Sequence, residues 1–114
     1  MDKFTRAYIE AALWSSNDDE GEPLDSNYDV GDLAPKTLAR MVEDCEDFQA
    51  KNMDDIAIDL SQAGHDFWLT RNGHGAGFWD GEWPEPEATR LTENSKSYGE
   101  YNLYVGNDGL IYGA

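Results

Sequence analysis

Twenty-four Asp and Glu stand against eight Lys and Arg, a formal net charge of -16 over 114 residues. A compact fold carrying that imbalance works against its own repulsion, so an ordered structure requires a strong apolar drive. Four Trp, six Tyr and four Phe supply one, in numbers that disordered acidic segments lack. The length suits one domain, 1–114, able to bury a modest core. Cys45 is the single cysteine and has no partner for an internal disulfide. With no secretory leader and no long apolar run in the sequence, the expectation is a reduced cytoplasmic protein that does not enter a membrane.

Apolar spacing sets out the helices. Asp2 reads as the cap of a helix over 3–15, with Phe4, Ala7, Tyr8, Ala11 and Trp14 at three- and four-residue steps. Ile9 and Leu13 occupy a second face, either internal or offered to another chain. Periodicity stops at 17–32, NDDEGEPLDSNYDVGD, an acidic loop. Pro35 opens a long helix whose stripe is Leu38, Met41, Val42, Cys45 and Phe48. Asp54 and Asp55 read as the cap of a short third helix through Ile56 and Leu60, closed by Gly64. His65–Thr70 and Ala76–Trp79 read as strands joined at Asn72-Gly73. An acidic, Pro-containing loop over 80–88 leads into a last helix from about Pro86 to Tyr98. A second hairpin pairs 101–105 with 110–112 around Asn107-Asp108-Gly109. The fold class is therefore α+β: one domain, an antiparallel sheet of two β-hairpins packed against three or four helices. Trp14, Leu38, Met41, Cys45, Phe48, Phe67, Leu69, Phe78, Leu103 and Ile111 form the expected core.

Motifs for chemistry are weak. In the acidic loop Asp25, Asn27 and Asp29 alternate like calcium ligands, but Gly31 comes one place late and Lys36 stands where a closing Glu belongs. Cys45 lies between Asp44 and Glu46, which oppose a thiolate. His65 and His74, near Asp66 and Arg71, lack a metal-binding motif. The glycines of 73–77 lack the helix and Lys of a phosphate loop. No catalytic residue, metal or cofactor is assigned.

The acids themselves carry the functional expectation. Asp18, Asp19, Glu20, Glu22, Asp25, Asp29 and Asp32 fill the loop. Glu43, Asp44, Glu46 and Asp47 crowd the C-terminal half of the long helix, where the helix dipole disfavours them, and Asp59 adds to that face. Asp80, Glu82, Glu85 and Glu87 surround Trp83, Pro84 and Pro86 in a further run without a base. Carboxylates arrayed this way imitate the phosphates of a nucleic acid, attract a basic, nucleic-acid-binding protein and repel nucleic acid itself. Trp83 or exposed tyrosines are the expected apolar anchors.

The segment AGHDFWLTRNGHGAGFWD (63–80), with FTRAYIEAALWSS and LAPKTLARMVEDC before it and YGEYNLYVGNDGLIY after it, resembles small uncharacterised proteins of tailed bacteriophages and prophages. The likeness covers most of the chain and brings no known activity or site residue. It implies a bacterial host cytoplasm and an early protein that blocks a host factor, hence a host-protein inhibitor or adaptor acting by charge mimicry of DNA. Two alternatives stay open: a phage structural or assembly component using Ile9 and Leu13, and a small metal-dependent enzyme centred on His65, Asp66, Arg71 and His74. Target and oligomeric state are left open, as is whether the acids share one face.

Overall fold

In the computed structural model, which describes Met1–Ala114 throughout, the first helix begins as its cap dictates. The Asp2 carboxylate accepts from the Thr5 amide at 2.7 Å and starts α1 (Lys3–Ser15), satisfying an amide that a helix start leaves free. Its other oxygen accepts from Gln49 at 3.2 Å. Phe4, Tyr8 and Ala12 are buried on one side of α1, and Ile9 and Leu13 on another.

Helix α2 (Pro35–Ile56) has Pro in its first turn, where a missing amide hydrogen costs nothing. Met41, Cys45 and Phe48 are fully buried, with Leu38 half-buried beside them. The helix continues past Asp54 and Asp55, because Asn52 and Ile56 extend its buried stripe and nothing between them breaks it. Those two acids therefore lie in the last turn of α2, not at the start of a third helix. Asp59 is the actual cap of the next helix, accepting from the Gln62 amide at 3.0 Å.

That helix, α3 (Leu60–Arg71), overturns the first expected hairpin. Eight of its twelve residues are buried. A helix enclosed nearly all round loses the apolar period that would reveal it, and a short apolar run then reads as a strand. Gly64 lies inside α3, not at the end of a helix: a Cβ there would sit 2.0 Å from the Phe4 carbonyl oxygen, so bare backbone lets α3 press against α1. Asn72-Gly73 ends α3 instead of turning a hairpin, with Gly73 at φ +70° and the His74 amide bonded back to the Leu69 carbonyl at 3.0 Å. Residues 76–79 lead through a bend into a turn and form no strand. Phe78 is nevertheless fully buried, and its amide donates to Thr70 Oγ1 at 3.1 Å.

The end of the chain follows its turn chemistry. After α4 (Glu87–Lys96), strands β1 (Leu103–Val105) and β2 (Ile111–Gly113) pair antiparallel with Tyr104 opposite Tyr112. The Ala34 amide donates to the Ile111 carbonyl at 2.9 Å and fixes the hairpin beside the start of α2. The sheet has these two strands alone, so the domain is α+β with four helices and one hairpin. One core unites them, centred on Phe4, Tyr8, Phe48, Phe67 and Phe78, with Phe48 and Phe67 stacked at 4.1 Å. Two tryptophans exchange their expected places. Trp14 is 57% exposed, whereas Trp83 is 6% exposed and donates to Asp66 at 2.7 Å, so Trp83 is a core residue and not a surface anchor. No helix is long and apolar enough to cross a membrane.

Candidate functional site

The charged groups divide into those the core uses and those it leaves outside. Arg71, at the end of α3, is wholly enclosed. It donates to Asp44 at 2.8 Å, Tyr8 at 3.1 Å, and the carbonyls of Gly99 at 2.9 Å and Tyr98 at 3.2 Å. A buried guanidinium needs such partners, since an unpaired one is strongly disfavoured. Asp44 supplies the opposing charge and also pairs with Arg40 at 3.1 Å. This corrects the expectation for Asp44, which belongs to the interior and not to an outward acidic face: it lies three residues after Met41 and directly before Cys45, on the flank of the buried stripe.

Asp66 is also interior, accepting from Trp83 at 2.7 Å and Gln62 at 3.0 Å. Burial raises its carboxyl above the usual 3.8, against the pull of those two donors. The four residues of the enzyme alternative are thus committed differently. Asp66 and Arg71 face the core. The His65 ring packs 6.1 Å from Trp14, and His74 is exposed beyond the end of α3. No group of three His, Cys, Asp or Glu side chains is placed to hold a metal ion. The glycines of 73–77 follow a helix instead of preceding one, so no helix N-terminus points at them. Cys45 is buried, and that burial pushes its thiol up, away from the reactive thiolate, despite a bond with Thr5.

Several loop acids shape their own backbone. Asp18 accepts from the amides of Glu20 at 2.9 Å and Glu22 at 3.0 Å, while the Glu22 carboxylate accepts from Asn27 at 3.2 Å. Asp29 and Asp32 cap a single 3-10 turn reciprocally, Asp29 taking the Gly31 amide at 2.8 Å and Asp32 the Asp29 amide at 2.9 Å. Asp19, Glu20 and Asp25 extend into solvent, as do Glu43 and Glu46 on α2. Asp47 is exposed but engaged, accepting from Tyr98 and pairing with Lys51 at 3.0 Å. Its carboxyl is held low first by the Tyr98 hydroxyl and then by Lys51.

Four ion pairs form in the whole molecule, and they involve only Asp44, Asp47 and Asp55. Twenty-one of the 24 acids therefore have no basic partner within the protein.

Two depressions are lined by three or more acids. One groove, of about 1080 Å³, runs between α1, residues 25–30 and the start of α3, and brings Asp25, Asp29 and Asp59 together with Glu10. The other, about 760 Å³, lies on α2 beside Leu38 and Val42 and carries Glu43, Glu46 and Asp47. The two share no lining residue. Glu10 and Trp14 line the first groove together because their four-residue spacing stacks them on one face of α1. Ile9 and Leu13, the proposed interface of an assembly component, are buried beneath the first groove. No protein family, curated protein or solved structure matches the chain, so the reading of these grooves rests on their own chemistry.

Proposed function

We propose that this protein is a non-catalytic acidic binder, an inhibitor or adaptor that occupies the cationic surface of a nucleic-acid-binding host protein through charge that resembles a polyanion. The observation that carries this reading is that 20 acids, the 21 unpaired ones less the buried Asp66, reach the surface without a basic partner, while four of the eight bases are left unpaired as well. A protein that needed its acids only for internal pairing would neutralise more of them. Charge held outward accelerates encounter with an oppositely charged surface and weakens with salt. The same field repels DNA and RNA, so the partner is the protein that binds them. The resemblance to small tailed-phage proteins supplies a setting, the cytoplasm of an infected bacterium.

The test is capture from bacterial lysate on the immobilised protein at low and high salt, with retained proteins identified by mass spectrometry. The expected result is a basic nuclease, glycosylase, repressor or similar protein, released as salt rises. Retention of no basic protein at low salt contradicts the proposal.

A further inference from the structure

The groove between α1, residues 25–30 and the start of α3 differs from a merely acidic surface. Met1, Trp14 and Val30, three of the seven large apolar side chains that the fold leaves exposed, all open onto it, at 59%, 57% and 43% exposure. Solvated apolar groups gathered in one depression mark an interaction site more strongly than the same groups scattered singly. Around them stand Glu10, Asp25, Asp29 and Asp59, none of which forms an ion pair. Asp59 uses one oxygen to cap α3 and leaves the other without a protein donor. Arg6 is the one Lys or Arg lining the groove.

We infer that this groove receives a cationic amphipathic helix of the partner, its apolar side against Trp14 and Val30 and its Lys or Arg side chains against the acidic rim. The inference rests on the proposed binding of a basic protein and names the segment that protein would present. Charge complementarity selects this occupant. A second copy of the chain would bring two identical acidic rims together, each on a molecule of net charge -16. A purely polar cationic surface would leave Trp14 unused. Along α1 from Arg6 to Trp14 the groove is about 12 Å long at 1.5 Å per residue, enough for two turns of a helix seated as in other helix-in-groove complexes.

Two peptides test this against the intact protein: an 18-residue Leu/Lys sequence patterned as an amphipathic helix, and an isomer of identical composition with the pattern scrambled. Affinities come from calorimetry, and contact from the Trp14 indole resonance in a nitrogen-proton NMR spectrum. The patterned peptide should bind at least tenfold more tightly and shift that resonance. Trp14→Ala, at an exposed position, should cost about tenfold, as for a tryptophan anchor. Glu10→Gln with Asp25→Asn should weaken binding and reduce its salt dependence, whereas Glu93→Gln with Glu100→Gln, at exposed positions outside both grooves, should leave it unchanged. Equal, salt-sensitive binding of both peptides overturns the groove inference and leaves the broader reading standing. So does patterned-peptide binding that is indifferent to Trp14→Ala. Binding of neither peptide at low salt counts against both.

Discussion

Replacing Gly64 by Ala sets two effects of opposite sign against each other. In a helix interior Ala is favoured over Gly by about 1 kcal/mol, so a solvent-facing position would gain stability. At Gly64 the added carbon lies 2.0 Å from the Phe4 carbonyl oxygen, well inside the 3.4 Å at which ordinary contact begins. The obstacle is backbone and cannot rotate aside. Relief requires α1 and α3 to separate, which loosens Phe4, Tyr8, Phe67 and Trp68 together. Overpacking of this kind costs about 1–3 kcal/mol, and the rigid obstacle puts the cost at the upper end. The expected net loss is about 2 kcal/mol. With a urea dependence of about 1.5 kcal/mol per molar for a small domain, the unfolding midpoint falls by about 1.3 M with an unchanged slope. Gly75→Ala, where no atom lies within 4 Å of the new carbon, should stay within about 0.5 kcal/mol of wild type. A Gly64→Ala midpoint equal to or above wild type would refute the close contact between α1 and α3.

Arg71→Met leaves Asp44 only the largely exposed Arg40 as a counter-charge and removes donors from Tyr8 and two carbonyls, so denaturant unfolding should show a loss of about 3 kcal/mol; adding Asp44→Asn should recover part of it, and a loss below about 1 kcal/mol would deny the network its structural role. Asp66 has a folded value raised above 3.8 by burial, so its contribution is present below the unfolded carboxylate value, about 3.9, and is lost as pH rises through the raised one. The stability of wild type relative to Asp66→Asn should therefore fall as pH rises across that window, and a relative stability independent of pH contradicts the burial. Cys45, buried with its thiol pushed up, should resist a thiol reagent in the native protein and react at the rate of opening; immediate stoichiometric labelling of folded protein would refute its placement.

Much of the fold was legible because its elements are amphipathic or carry strong turn residues. Asp2 and the 3–15 spacing, Pro35 and its stripe, and Asn107-Asp108-Gly109 each specify local structure without help from the rest of the chain. The 60–71 helix was not legible, since burial on every side erased its period and the role of Gly64 exists only where α1 crosses it. Trp14 shared the spacing of Phe4 and Ala11, yet it stands in the last turn of α1, beside residues 28–30, and lies open to solvent. Which acids remain free was likewise a tertiary matter. Asp44 could be assigned to the interior only once Arg71, 27 residues later, was placed beside it.

The proposed engagement of a surface made for a polyanion by unpaired carboxylates predicts competition with nucleic acid. Its most direct test is a competition: the affinity of this protein for a captured basic partner, measured over a range of salt concentrations with and without duplex DNA. Affinity that falls steadily with salt, together with displacement by the duplex, is the predicted result. Binding insensitive to salt, or a complex that carries DNA at undiminished affinity, would contradict it.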